Sequence, residues 1–459
     1  MKTPLPHPHP FHRPRPLILG LLVLISTSFS AQTASTYSDF PRPEVLWKTQ
    51  IGKTTYRTQA ALMDGRIYIG SNGQRYKDLI GDGGNGLYVL NARSGSIVAN
   101  IAGEQWGDND VNGVVALDGK VYFGNDNDEF FCADKNGDIV WRLPCSGDVE
   151  HAPSVLNRPN GKKCIVFATE MGEVRAVNPI DGSTIWVHYH PDFDGWKPGS
   201  NRFVFRVKNH ISSPNFYFTP PFLADYNKDT YSDLCYTTSS GMVVLNGVDG
   251  IILSTNSVGS YYSPITQRMS RMGVELLDHQ YVETADPDDR WKAKYTVKDL
   301  NGRTLRDFPE LLETSLKGQC RRTSDGSILM RAKENAYMEW IPGMKFPVRM
   351  DRKALRSGRE PIQHHPGYIQ YSGTFMTAQT WECRGKEVFA VMVENNVHKE
   401  SHARHSLLEI RDAITGMLLS DVLLPARSES TPMVLDTNGD GTFEILVGDD
   451  TGHLYCIQL

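Results

Sequence analysis

The chain of 459 residues lacks a CxxC pair and lacks two adjacent cysteines, and its one long apolar run, Leu17 to Ile25, is nine residues long. A bilayer-spanning helix needs about 20 apolar residues, so this run is too short to act as a membrane anchor. Lys2, Arg13 and Arg15 precede it and the small residues of "STSFSA" follow it, so residues 1–31 read as an export signal cleaved near Ser30 or Ala31. No cysteine follows the run closely, which argues against a lipoprotein. The mature protein is expected to be secreted or periplasmic, without a transmembrane anchor.

A basic excess is missing too. Lys and Arg number 48 against 53 Asp and Glu, and losing the signal's three basic residues and no acid takes the formal charge from −5 to −8. Nucleic-acid binding calls for a clustered basic face, so that class is set aside. The seven cysteines are an odd count, allowing at most three disulfides, and the spacing does not reveal which. Cys132, Cys164, Cys235, Cys383 and Cys456 lie in or beside apolar, strand-like runs, where a thiol acts as a small hydrophobe.

What the sequence does have is repetition. "KVYFGNDNDEFFCADKNGDIVW" (120–141) reads as strand, turn, strand, Asx-Gly turn, and a strand ending in Trp. "CIVFATEMGEVRAVNPIDGSTIW" (164–186) repeats it, as do segments at 66–98, 233–253, 387–419 and 444–459. One further strand precedes each unit, through a polar-to-apolar lead-in: "RTQAAL", "NGVVAL", "EHAPSV", "FTPPFL", "YYSPIT", "GTFMTA" and "ESTPMV". Four short strands per unit at such periods predict propeller blades. The last unit stops one strand short at Leu459, and "EVLWKTQIG" (44–52) is an outer strand with no blade before it. The expected fold is an all-β, seven-bladed β-propeller over residues 43–459, closed by pairing of its N- and C-terminal strands. Residues 306–372 fit no copy and are read as an insertion after the fifth blade, with a degenerate eighth blade as the alternative.

The blade pattern "FFCADKNGDIVW" resembles the repeats of pyrroloquinoline-quinone (PQQ)-type propellers, over nearly the whole mature chain. "DYNKDTYSD" (225–233) and "DTNGDGTFE" (436–444) further resemble the calcium loops of integrin-alpha (FG-GAP) blades. That resemblance implies one or two structural Ca²⁺ ions, each held in a nine-residue loop between two strands. Side-chain oxygens would come from Asp225, Asn227, Asp229 and Asp233, and from Asp436, Asn438, Asp440 and Glu444, with the carbonyls of Tyr231 and Thr442. Gly441 suits a left-handed turn at position six, where the other loop has Thr230.

The lead-ins of a propeller gather around the central channel, and here they carry Arg57, Asp110, Asn112, Glu150, His151, Thr219, Tyr261, Tyr262, Thr374, Arg427 and Glu429. Such a face suits a polar ligand, a saccharide or a peptide terminus, or a protein partner. His151, Tyr262 and Arg57 would be the base, acid and charge neutraliser if the protein instead cleaved acidic polysaccharides. Two histidine groups, His188 and His190 beside Asp192 and Asp194, and His398, His402 and His405, have residue types that suit zinc but loop spacing that does not specify it. PQQ is not expected as a cofactor. Quinone dehydrogenases of the look-alike family carry an adjacent-cysteine disulfide and a longer, eight-bladed ring, and Trp141 and Trp186 here hold the repeat's structural position. The expectation is therefore a calcium-stabilised binding module, with a polysaccharide lyase or hydrolase and a PQQ-dependent dehydrogenase as the enzymatic alternatives.

Overall fold

The computed structural model describes residues 40–73, 84–101, 109–190, 220–238, 241–256, 266–270, 273–283, 291–312, 317–331, 337–340, 348–350, 368–369, 378–395 and 405–459. Residues 1–31, read from sequence as an export signal, lie outside these residues. Among them no helix is long and apolar enough to cross a membrane.

The described strands form eight sheets, each a blade. Outer strand β1 (Glu44–Gln50) comes first in the chain. Blade 1 is β2 (Ala60–Met63), β3 (Arg66–Asn72), β4 (Asn85–Asn91) and β5 (Ile97–Ile101). Blade 2 is β6 (Val114–Leu117), β7 (Lys120–Gly124), β8 (Glu129–Asp134) and β9 (Ile139–Pro144). Blade 3 is β10 (Ser154–Asn157), β11 (Lys163–Ala168), β12 (Glu173–Val177) and β13 (Thr184–Tyr189). Blade 4 is β14 (Phe222–Ala224), β15 (Asp233–Thr238), β16 (Gly241–Leu245) and β17 (Ile252–Asn256). Blade 5 is β18 (Thr266–Ser270), β19 (Gly273–Glu283), β20 (Trp291–Lys298) and β21 (Thr304–Leu312). Blade 6 is β22 (Lys317–Arg321), β23 (Ile328–Arg331), β24 (Tyr337–Trp340) and β25 (Val348–Arg349). Blade 7 takes β26 (Tyr368–Ile369), β28 (Trp381–Cys383), β29 (Lys386–Asn395), β30 (Ser406–Asp412) and β31 (Leu418–Leu423), while β27 (Ala378–Gln379) joins blade 6 in parallel to β22. Blade 8 is β32 (Met433–Leu435), β33 (Glu444–Gly448) and β34 (His453–Gln458), with β1 antiparallel to β34.

The strand sequences follow from where the core lies. Blades stack face to face, so the middle strands are buried on both sides and alternate residues serve different layers. In β7 and β8, Val121, Phe123, Phe131 and Ala133 face the layer shared with blade 1, whereas Tyr122, Phe130 and Cys132 face blade 3. Phe130 stacks on Phe167 of blade 3 with ring centroids 4.0 Å apart. Hence these strands read as near-continuous apolar runs, and the outer strands, with one face in water, do not. All seven cysteines are free thiols and six are fully buried, so they act as the small hydrophobes the sequence suggested.

The tryptophans of the repeat dock one blade on the next. Trp141 lies over Gly182 of blade 3, where a Cβ would come within 2.8 Å of its ring, and Trp186 lies over Gly250 of blade 4. Trp47 of β1 lies in the same way over Gly95 of blade 1, and its Nε1 donates to Ala92 O at 3.2 Å. Each of these glycines has a positive φ in the turn before the outer strand, so the position is fixed by backbone and by space together.

The blade count corrects the sequence reading: there are eight sheets, and β22–β25 form the extra one inside residues 306–372. The repeat was hard to see because β22 starts with "KGQCR" rather than a polar-to-apolar lead-in. No outer-strand Trp follows either: Met350 is the side chain that packs beside Gly416 of blade 7. The burial that defines a blade is nonetheless there, with Ile328, Met330 and Trp340 packed on Leu277, Tyr295 and Val297 of blade 5. Inside it Arg322, 1% exposed, pairs with Glu339 and donates to Ala413 O of blade 7.

Candidate functional site

The lead-ins of blades 1–3 come together as one polar cluster. Arg57 pairs with Glu150, Asn112 Nδ2 donates to the same carboxylate at 2.9 Å, and Thr55 Oγ1 donates to Asn112 Oδ1 at 3.4 Å. Asp110 accepts from Asn72 Nδ2 at 3.1 Å, and its carbonyl accepts from Asp126 N. Two acids that the sequence reading missed complete the group. Asp126, in the loop between β7 and β8, and Asp148, just before β10, place carboxylate oxygens with that of Glu150 all within 4.8 Å of one another. Their signal was "GNDND" and "SGDVE", dispersed over two blades and visible as one patch only after folding. Three acids so close raise the local negative potential, which Arg57 offsets in part.

His151 is 2% exposed. Its Nδ1 lies 2.9 Å from Ala152 O and its Nε2 meets no partner. Burial lowers its pKa to about 4, against the help of the Ala152 carbonyl and with a further push from Arg57. The ring is therefore neutral at pH 7. Arg427 and Glu429 pair at 2.5 Å on blade 8, where Arg427 also reaches Asp450 at 3.6 Å. Burial pushes the Asp450 carboxyl above its usual range, against the pull of Arg427 and Lys53. Thr219, Tyr261, Tyr262 and Thr374 lie outside the described residues, so of the suggested acid–base set the structure describes Arg57, already paired, and His151.

Among the described residues the acidic trio is the one group of three His, Cys, Asp or Glu side chains close enough to share a cation, and neither histidine cluster enters it. Burial lowers the His188 pKa to about 4, with His190 adding to the effect. His405 Nδ1 lies 3.0 Å from Pro425 O, and His398, His402, Asp192 and Asp194 lie outside the described residues.

The two nine-residue loops have one shape. Positions four and six are left-handed in both: Lys228 and Thr230 at φ 64° and 77°, Gly439 and Gly441 at 76° and 84°. Position one accepts from the N–H groups of positions five and six, as Asp225 does from Asp229 and Thr230, and Asp436 from Asp440 and Gly441. Position five accepts from the N–H of position seven, Tyr231 N at 2.8 Å and Thr442 N at 2.7 Å. Position nine, expected as a ligand, is buried under the loop, where Glu444 also accepts from Asn438 Nδ2 of position three at 3.1 Å. Asp233 accepts from Tyr226 N at 2.9 Å, and the fully buried Glu444 accepts from Thr437 N at 2.7 Å. The chemistry fits a hard cation, because every donor at positions one, three and five is an oxygen and the loop amides already orient them.

A cavity of about 530 Å³ is bounded by the inner strands of blades 8 and 1, by Thr380, Trp381 and Glu382 of blade 7 and by Thr323 and Gln379 on the blade 6 sheet. Gln59 N donates to Asn112 O at 3.0 Å across blades 1 and 2, and Gly113 has no room for a Cβ against Ala152 of blade 3. Between blades 8 and 1, Thr431 Oγ1 donates to Tyr56 O at 2.9 Å, and the cavity extends from there to Phe443. None of its lining residues was named as a candidate site residue from sequence, although Thr58–Ala60 and Thr431–Val434 lie in two of the lead-ins.

Fold and repeats together define a PQQ-type β-propeller. Residues 41–188, which are β1 and blades 1–3, match the family described as outer membrane protein assembly factor BamB. Among solved structures the chain is similar to a computationally designed protein, Ika8, at 13% identity and a TM-score of 0.51, covering 91% of this chain and all of that one. It is also similar to BamB from Moraxella catarrhalis, at 11% identity and a TM-score of 0.48, covering 91% of this chain and all of that one. A third is the quinohemoprotein alcohol dehydrogenase ADHIIG from Pseudomonas putida HK5, at 13% identity and a TM-score of 0.47, covering 91% and 76%. No curated protein matches the chain. The eighth blade removes one of the three differences that set the chain apart from quinone dehydrogenases, and Trp141 and Trp186 keep the structural position. The missing adjacent-cysteine pair remains.

Proposed function

We propose that the protein is an exported, calcium-stabilised propeller that works as a partner-binding module, with the acidic mouth of blades 2 and 3 as its contact face. The observation that carries this reading is the convergence of Asp126, Asp148 and Glu150 within 4.8 Å, with Asp110 of the same lead-in set nearby in the chain. The match to an outer membrane assembly factor falls on the same three blades, which supports a protein partner presenting Lys or Arg. In this reading residues 1–31 direct export, and β1 completes blade 8 so that the ring is closed. The cavity is left for a small ligand.

Co-purification from an envelope fraction of the source organism tests the proposal. A complex should form with the wild-type chain, weaken steeply with salt, and be lost in the Asp126→Asn, Asp148→Asn double variant while the melting temperature holds. A chain that emerges alone, or a complex indifferent to salt and to both substitutions, overturns it. Quinone absorbance after reconstitution, or unsaturated products from an acidic polysaccharide, would replace it with an enzymatic reading.

Calcium would be held by Asp225, Asn227 and Asp229, and by Asp436, Asn438 and Asp440, with the carbonyls of Tyr231 and Thr442. Its contribution is to neutralise acids crowded on a short turn. A ligand bound by the folded state alone adds stability, so chelator should lower the melting temperature and Asp436→Ala should reproduce most of that loss. An unchanged melt removes the metal from the proposal.

A further inference from the structure

The geometry points to the cavity between blades 7, 8 and 1 as a binding site for a neutral, β-linked oligosaccharide. The inference rests on the reading of the protein as a binding module, and it concerns the cavity rather than the acidic mouth, the two being neighbours through Arg57, which pairs with Glu150 and lies over the Tyr56 ring. A volume of about 530 Å³ is within the range of small-ligand sites, roughly 300–1,000 Å³.

The side chains select the chemistry. Phe443, 40% exposed, is one of the aromatic residues that line the cavity. Tyr56, whose ring has the Arg57 guanidinium over it, and the largely buried Trp381 are the other aromatic residues of the lining. Gln379 and Glu382, both exposed, bring an amide and a carboxylate, and Gln59 a second amide. The threonine hydroxyls of the lining are used within the protein: Thr323 and Thr380 donate to Glu387, and Thr431 donates to Tyr56 O. The lining thus combines aromatic side chains with amide and carboxylate groups. A gluco-configured sugar matches that pairing, with C–H groups on its faces and hydroxyls around its edge. No Lys, Arg or His is present among the described lining residues, and Glu382 repels acids, so uronates and phosphorylated sugars are disfavoured. Pro432, Met433, Val434 and Leu435 complete the lining with apolar surface.

Calorimetric titration of the full mature chain with cellotriose and with triacetylchitotriose tests this directly. At least one neutral trisaccharide should bind, and the β-1,4-glucuronate trimer should bind at least about tenfold more weakly. Phe443→Ala should weaken the neutral ligand about tenfold. Glu382→Gln should narrow the gap between neutral and acidic trimers, a readout that a merely structural role would not move. Gln379→Trp, which fills the cavity from an exposed position, should abolish binding while the melt is kept. Absence of heat with both neutral trimers at millimolar concentration overturns the inference. So does selective uptake of the uncharged peptide Ac-Gly-Val-Thr-Val-Gly-NH₂, protecting the amides of Met433–Leu435 from exchange, which would assign the cavity to extended peptides. Either failure leaves the co-purification result at the acidic mouth untouched, so the two readings fail separately.

Discussion

At the scale of single residues the most telling groups are titratable ones held away from their usual state. Glu387 lies between blades 6 and 7. Burial would raise its pKa, but hydrogen bonds from Ser324, Thr380 and Thr323 outweigh that and lower it to about 2. The folded value is below the ordinary carboxylate value, so its stabilisation is present above about pH 4.5 and is lost as pH falls toward 2. His151 acts higher on the scale. Its pKa is lowered from 6.5 to about 4, so the unfolded chain binds the extra proton first and stability falls as pH drops from 6.5 toward 4. Melting curves should therefore show two acid limbs. Glu387→Gln should flatten the lower limb, and His151→Phe should flatten the upper one in part, His188 carrying the rest. A single limb that neither substitution alters would contradict both assignments. Thr230 is a further residue under constraint: a β-branched side chain at φ 77° costs energy that Gly441 avoids in the sister loop, and the bond from its N–H to Asp225 offsets part of it.

At the scale of elements, the contact between an outer-strand Trp and a glycine turn is the repeated joint. Its worth can be isolated with two glycines of similar φ, Gly182 at 72° and Gly65 at 70°. A Cβ at Gly65 meets nothing within 4 Å, whereas at Gly182 it would press on Trp141. Gly65→Ala should cost about 1 kcal/mol from backbone strain alone. Gly182→Ala should cost roughly 1–3 kcal/mol more, the penalty for overpacking. Equal losses in chemical denaturation would show that the joint contributes nothing. The same joint explains how much of the fold was legible. Strands buried on both faces left runs such as "VYF" and "CIVFA" bounded by Asx-Gly turns, and an outer Trp marked several blade ends, so the propeller and the two acidic loops could be read directly. Blade 6 could not, because Met350 stands where a Trp would have marked it and "KGQCR" hides its inner strand. Of the candidate site, the Arg57–Asn112–Glu150 cluster was anticipated through blade position. Asp126 and Asp148 were not, since which loop tips converge depends on how closely the inner strands pack, a property no single repeat encodes. The burial of Glu444 under its loop was hidden for a related reason: its carboxylate chooses between a metal and the Thr437 amide, and sequence spacing is the same for both.

At the scale of the molecule, a row of eight stacked sheets ends in two exposed faces unless first and last are joined, and an open edge invites pairing with other chains. The two ends of this chain lie in one sheet. Register runs from Glu44 opposite Gln458 to Gln50 opposite His453, and Gln50 Nε2 donates to Thr451 O at 3.0 Å. Trp47, 8% exposed, sits between blade 8 and blade 1 in the layer formed by Ile67, Ile69, Leu446 and Cys456. A variant lacking residues 40–52 should keep its other blades but bare the edge of β34 and lose the Trp47 contact. It should melt well below the full chain and associate as concentration rises. A synthetic peptide of residues 40–52 should restore the melt in proportion to its concentration, as expected for a ligand of the folded state, and the same peptide with Trp47→Ala should not. Restoration by both peptides would mean that backbone pairing alone joins the ends. A truncated chain that melts like the full one would mean that β1 carries none of the stability this geometry assigns to it.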